Sequence, residues 1–349
     1  MLLVWFVVAI SPVSAEPVFP GVTWECDTNG LSPETVRQVS TFIHTLDTTG
    51  LMAVKHGRVV YEYGDVKRLS YVASVSKSVL SMLYGPYVAS GKIHLDATLK
   101  ELGMSDVGGL LPVEERAKVV DLITARSGVY HPVEEADDPK TPKRGSKEPG
   151  TYWFYNLWDF DAADAAFERM TGKDVYDALR DDLAIPIGMQ DFKRDRQYKV
   201  VVPRSQYPVK HMVLSTRDMA RLGLLMLRQG QWRDRQIIPA EWVRRSTSVR
   251  TSAAEMKEPN LAYGYMWWVC EDTNGPFRGA FMATGSFGQF ITILPELDMV
   301  VAHKTLHTGN VSVGSYGRLL GLLTGNKPAS ADEMASWSRL PQKPSAPTK

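Results

Sequence analysis

The chain has 349 residues, 44% hydrophobic and 23% charged, with 40 Lys and Arg against 39 Asp and Glu. That composition supports a sizeable buried core in one large domain or two interleaved ones, and excludes a disordered or fibrous protein. A net charge of +1 supplies no field for nucleic acid or an anionic membrane surface, which leaves small or neutral molecules as natural partners. In chain order, Leu2 to Ile10 is an uninterrupted apolar run, Ser11-Pro12 breaks it, and Val13-Ser14-Ala15 offers small residues for cleavage before Glu16. The run is too short to span a bilayer and reads as a signal peptide over residues 1–15. The mature protein is therefore expected to be exported, periplasmic or secreted, with no integral membrane association; a buried N-terminal segment is the alternative. Cys26 and Cys270 are too few for a disulfide scaffold, although export permits one bond.

Leu51 to His56 and Val59 to Tyr63 read as two strands around a turn at Gly57. Val75, Val79, Leu80, Leu83 and Val88 then recur at helical spacing up to Gly91, so Ser74 opens a helix. There its oxygen and N–H lie at the positive end of the helix dipole, and Lys77, three residues on, projects from the same face. A hydroxyl and an amine one turn apart can activate a serine nucleophile without a histidine. A chain this long holds roughly one S-x-x-K by chance, so the alternative is a Ser N-cap followed by a solvated lysine.

Further helices are predicted over Asp121 to Ser127, Asp159 to Met170 and Asp174 to Leu183, and over Met219 to Gln229 behind a capping box at Ser215-Thr216-Arg217-Asp218. Between them, residues 133–149 mix acids, bases and prolines in a long loop, either a rim over a cleft or a solvated connection. Strands resume at Tyr263 to Cys270, Phe281 to Thr284, Phe290 to Leu294 and Met299 to His303, and the short links between them imply antiparallel neighbours. A last helix is predicted over Val311 to Leu323. The pattern is α+β: residues 16–73 and 258–325 build a discontinuous sheet domain, residues 74–257 a mainly helical insertion, and the Pro-rich stretch 326–349 a disordered tail. His303 and His307 stand four apart, but His303 closes a strand pattern, so no metal site is expected.

Several segments come in the order seen in serine β-lactamase-like hydrolases: Ser74-x-x-Lys77, the segment Pro149-Gly150-Thr151-Tyr152-Trp153-Phe154-Tyr155-Asn156, Ile185-Pro186-Ile187-Gly188-Met189, Ser215-Thr216-Arg217-Asp218, and Gly285 to Pro295. The chain resembles the branch that contains class C β-lactamases, DD-peptidases, family VIII carboxylesterases and nylon-oligomer hydrolases. That resemblance implies a β-lactamase/transpeptidase-like fold, no cofactor, and a serine hydrolase acting through a Ser74 acyl-enzyme. Lys77 and Tyr155 would move the protons, and the backbone N–H groups of Ser74 and Ser286 would form the oxyanion hole. Trp153, Asn156, Thr284, Gly285 and Phe287 would meet substrate, and Phe154, Trp158, Tyr263, Trp267 and Trp268 are further candidates for an apolar pocket.

Two motifs depart from the family pattern. Its Y-x-N places Tyr155 on the tyrosine but Leu157 on the asparagine, with Asn156 one position early. Its K-T-G falls on Ala283-Thr284-Gly285, while His307-Thr308-Gly309 comes too late. Loss of the lysine and amide weakens recognition of a β-lactam's carboxylate and side chain more than it weakens acyl transfer, which favours a small ester or amide substrate. A DD-peptidase or β-lactamase is the alternative enzyme, and a penicillin- or peptide-binding protein the alternative without catalysis. Thr284-Gly285-Ser286-Phe287-Gly288 also approaches the G-x-S-x-G of α/β-hydrolases, but its triad would need Ser286, Asp298 and His303 within one meander. Acyl and leaving groups and oligomeric state are not encoded legibly.

Overall fold

The computed structural model describes residues 16–133, 139–258, 260–271 and 275–325. The expected signal peptide and Pro-rich tail, and part of the 133–149 loop, lie outside the described residues. No helix among the described residues is long and apolar enough to cross a membrane.

Strands β1 (Thr48–Lys55) and β2 (Arg58–Gly64) form the predicted hairpin. His56 and Gly57 turn it with φ of 51° and 77°, the left-handed pair whose twist suits a two-residue hairpin. A Cβ on Gly57 would stand 2.1 Å from the Val18 carbonyl oxygen, so glycine is also required by the close approach of the N-terminal segment. Short ribbons follow: β3 (Ser70–Tyr71) pairs with β6 (Val213–Leu214), β4 (Tyr198–Val202) with β5 (Ser205–His211), and β7 (Gln231–Trp232) with β8 (Arg235–Gln236). The late strands are β9 (Leu261–Tyr263), β10 (Trp268–Cys270), β11 (Phe281–Gly285), β12 (Gln289–Leu294) and β13 (Met299–Thr305). With the first hairpin they make one antiparallel sheet in the order β2-β1-β13-β12-β11-β10-β9. The β1–β13 ladder joins the two ends of the chain, setting Leu51 opposite His303 and Gly50 opposite Lys304.

The single strand expected over Tyr263 to Cys270 is in fact two. Gly264 packs so tightly on the Ser246 carbonyl that a Cβ there would lie 2.3 Å from it, and Met266 adopts φ of 59°, which takes the chain out of the ladder between β9 and β10. Among the described residues neither cysteine is in a disulfide: Cys26 bridges to Val59 on the β2 edge, while Cys270 lies on β10, near the other edge.

Helices cover both faces of the sheet. Side chains alternate along β13, so His303 and Lys304 point to opposite faces. On the His303 face lies the helix Val313–Leu323, whose Tyr316 stacks on Phe290 at 4.0 Å, beside α1 (Pro33–Ile43). On the other face lies the helix Thr216–Leu227, where a Cβ on Gly223 would stand 2.4 Å from Val300. Ser215 caps that helix through Asp218 N–H, but the Asp218 carboxylate accepts from Gln190 and Asp191 instead of closing the predicted box.

Next to β11 runs α2 (Val75–Ala89), buried along most of its length as its continuous apolar pattern requires. The helix predicted over Asp121 to Ser127 is displaced to α3 (Val119–Ile123), since Ala125 turns the chain with φ of 57°. α4 (Leu157–Thr171) matches its predicted span closely and stops at Gly172, φ 70°. Asp174 caps a further turn, Val175–Ala178, that widens into a π-helix, Leu179–Ala184.

Candidate active site

Ser74 opens α2 without capping it. Its backbone is already helical, at φ −69° and ψ −7°, and its hydroxyl makes no capping bond. Ala73, at φ 48°, delivers the chain from β3 into the helix through a left-handed turn. The hydroxyl instead accepts from Lys77 Nζ at 2.8 Å, across the single helical turn predicted from sequence. Both side chains are partly buried, so the reading as a cap with a solvated lysine does not describe them.

Tyr155 reaches the same point from the loop before α4. Its phenol lies near the Ser74 hydroxyl, which acts to lower its pKa, and Lys77 Nζ stands 5.6 Å from its ring centroid and 5.1 Å from that of Phe160. The ring is held between Phe160, at 4.8 Å, and Trp268, stacked at 5.8 Å, with Tyr263 edge-on. Burial pushes the phenol well above its ordinary pKa; the nearby Ser74 hydroxyl and the charge of Lys210 pull the other way without prevailing. Tyr155 therefore rests as a neutral O–H at physiological pH.

The end of β11 lies beside the nucleophile. Gly285 lies against the start of α2, where a Cβ would stand 3.1 Å from Ser74 N and 2.6 Å from the Val72 carbonyl oxygen. Thr284, Gly285, Ser286 and Phe287 are all partly exposed here, while Ala283 is fully buried. Among the described residues, neither the Ser74 nor the Ser286 backbone N–H donates to a backbone or side-chain acceptor. Two such amides beside a nucleophile can bind a developing oxyanion.

Asn156, expected at the substrate, turns inward instead. It is buried, its Oδ1 caps α4 by accepting from Trp158 N–H, and its Nδ2 donates to the Val129 carbonyl and to Asp159. Its place one position before the family's asparagine coincides with the helix cap, which fixes its direction. Of the candidate pocket aromatics, Trp158, Tyr263, Trp267 and Trp268 are core residues, Trp158 donating to Asp106. Trp153, Phe154 and Phe287 remain partly exposed, with Trp153 edge-on to Tyr263 and Trp268. The rival triad does not assemble: Asp298 bonds His56 and Arg228, whereas His303 bonds Thr48 and the Gly288 carbonyl. Among the described residues, no His, Cys, Asp and Glu cluster could hold a metal.

Sequence reasoning missed Lys210, on β5. It is 4% exposed, with Nζ 3.9 Å from Asp164, and its charge acts to lower the pKa of the Tyr155 phenol. A lysine in a short ribbon whose sequence, Ser-Gln-Tyr-Pro-Val-Lys-His, shows no polar–apolar alternation carries no signal that it is buried.

Solved structures share this architecture. A Bacillus anthracis protein provisionally named 6-aminohexanoate-dimer hydrolase is 20% identical with a TM-score of 0.65, over 87% of this chain and 83% of that one. An octameric penicillin-binding protein homologue from Pyrococcus abyssi is 17% identical with a TM-score of 0.65, over 84% and 78%. A class C β-lactamase is 14% identical with a TM-score of 0.61, over 85% and 95%. At these identities the likeness shows the fold, a β-lactamase/transpeptidase-like one. No curated protein matches the sequence. The family model described as Beta-lactamase matches residues 44–320, which span β1 through most of the last helix and include Ser74, Lys77 and Tyr155, and the chain belongs to the β-lactamase family.

Proposed function

We propose that this protein is a serine hydrolase that cleaves a small ester or amide through an acyl-enzyme on Ser74. The observation that carries the reading is the 2.8 Å contact between Lys77 Nζ and a Ser74 hydroxyl left free of helix capping. In the first step Ser74 Oγ attacks the substrate carbonyl carbon while its proton passes to Lys77 in the free-amine form. The carbonyl π pair moves onto oxygen, which the Ser74 and Ser286 N–H groups receive. As the oxyanion collapses, the bond to the alcohol or amine breaks, and the leaving group takes a proton from the Tyr155 O–H, which Lys77 replenishes. Water then attacks the acyl-enzyme, and the same groups return the proton to Ser74 Oγ.

A neutral substrate is favoured by what the surroundings of Ser74 lack. Ala283 stands where β-lactam enzymes of this family carry a lysine, and Asn156 is committed to the fold, so a β-lactam's carboxylate and amide side chain lose their partners. Ser74→Ala and Lys77→Ala should each abolish hydrolysis of p-nitrophenyl butyrate while leaving the circular dichroism spectrum unchanged. A fluorophosphonate probe should label Ser74 in the wild type. Nitrocefin should turn over far more slowly than the ester; equal efficiencies would overturn the substrate assignment, and a Ser74→Ala variant with wild-type rates would overturn the mechanism.

A further inference from the structure

His303 has no part in the acyl-transfer steps above, yet it is fully buried and both of its ring nitrogens are engaged. Nδ1 lies 2.7 Å from the Gly288 carbonyl oxygen and Nε2 lies 2.8 Å from Thr48 Oγ1. A carbonyl can only accept, so Nδ1 carries the proton. Burial holds the imidazolium form down to about pKa 4, so at neutral pH that is the ring's one proton and Nε2 is bare. Thr48 must then donate to Nε2, which fixes the tautomer and the direction of both bonds.

The carbonyl that His303 holds belongs to the turn carrying Ser286. This turn is constrained throughout: Phe287 adopts φ of 70° and Gly288 of 100°, and the Phe287 carbonyl accepts from Val311 N–H at 3.1 Å. Thr305 Oγ1 also donates to the Gly288 carbonyl, at 3.2 Å, and a Cβ on Gly288 would stand 2.7 Å from that hydroxyl. The imidazole itself packs against Phe290 and Tyr316. A backbone in left-handed geometry persists only where its surroundings hold it, and here they do so through a buried imidazole on β13.

We propose that His303 is a positioning residue for the oxyanion hole: by anchoring the Gly288 carbonyl it aims the Ser286 N–H at the carbonyl oxygen that Ser74 attacks. This rests on the hydrolase reading for its effect on rate, but its geometric content does not. An oxyanion donor must point at the transition state before reaction, and a small misalignment costs rate with little effect on substrate affinity.

The test compares His303→Phe, which keeps a ring between Phe290 and Tyr316 but removes the donor, with His303→Asn, whose amide places N–H near the position of Nδ1. The Phe variant should lower kcat for p-nitrophenyl butyrate by about 10- to 100-fold with KM changed less than threefold. The Asn variant should recover to within about fivefold of wild type. In 15N–1H spectra the Ser286 amide resonance should shift in the Phe variant and return toward its wild-type position in the Asn variant. An unmoved Ser286 resonance, or an Asn variant as impaired as the Phe variant, would overturn the positioning role. If His303→Phe does not fold, Thr48→Val serves instead: it removes the donor to Nε2, frees the tautomer, and should lower kcat about threefold with the same amide shift, an unchanged resonance again overturning the role. A wild type that fluorophosphonate does not label would refute the hydrolase reading, and the Ser286 resonance would still decide this one.

Discussion

Ser74 N and Gly285 are in such close apposition that the smallest side chain added to Gly285 would stand 3.1 Å from that nitrogen and 2.6 Å from the Val72 carbonyl oxygen. Both obstacles are backbone, so the neighbour cannot swing aside, and β11 must move away from α2 instead. Gly285→Ala should therefore reduce kcat for p-nitrophenyl butyrate by about 100-fold through loss of oxyanion alignment. Gly285 does not occupy the left-handed region, so no backbone strain is added, and the melting temperature should fall only a few degrees. A variant with wild-type turnover would show that the two amides do not act together.

Tyr155 is the member of the proposed trio whose surroundings favour the protonated form. Its phenol is held above the ordinary range by burial, so in the proposed mechanism it donates and relays the proton and does not serve as the resting base. Difference absorbance at 295 nm between wild type and Tyr155→Phe should show no phenolate from this residue up to pH 10. Tyr155→Phe should lower kcat by about 100- to 10,000-fold. Ionisation of Tyr155 near neutral pH would reverse the roles given to it and to Lys77.

The sequence made the trio legible because each member sits beside a strong local signal. Ser74 and Lys77 open a long apolar helix, and Tyr155 precedes the cap of α4. Spacing along one helix survives folding unchanged, which is why the Ser74 to Lys77 contact matched its prediction. Asn156 shows the limit: an asparagine at a loop-to-helix junction can serve a ligand or cap the helix, and only the fold decides. Lys210, His303 and Lys304 were illegible for another reason. Each is buried by residues far away in the chain, and a polar side chain within a strand pattern does not announce which face it occupies.

Lys304 gives the fold a pH dependence of its own. It is 2% exposed, and Nζ donates to the carbonyls of Ser70, at 2.8 Å, and Leu214, the two residues paired in the β3–β6 ribbon that leads into Ser74. Burial lowers its pKa to about 7, against an ordinary 10.5. Between those values the unfolded chain binds a proton that the folded chain does not, so stability rises with pH across that window, by at most about 1.4 kcal/mol per unit from this group. Below pH 7 both states are protonated and the folded one carries the full penalty. Urea unfolding of Lys304→Met should show a flatter rise between pH 7 and 9.5 than the wild type. Parallel curves for the two proteins would mean that Lys304 titrates as an ordinary lysine.

Asn156 provides the clearest separation of a structural role from a substrate-binding one. Removing its amide leaves Trp158 N–H without its cap and the buried Val129 carbonyl without a donor, and takes one of its donors from the Asp159 carboxyl. Asp159 is itself buried, its pKa raised by desolvation, and it retains only the Ser127 contacts once Asn156 is gone. A lost cap costs about 1 kcal/mol and a buried group left unsatisfied about 1–3 kcal/mol, so Asn156→Ala should lose about 2–4 kcal/mol in urea unfolding. Tyr155 is the preceding residue, so kcat should fall as the loop loosens, while KM for a neutral ester should change less than threefold because the amide is engaged with Val129, Trp158 and Asp159. A large rise in KM with unchanged stability would restore Asn156 to the substrate and show that its side chain turns outward when ligand binds.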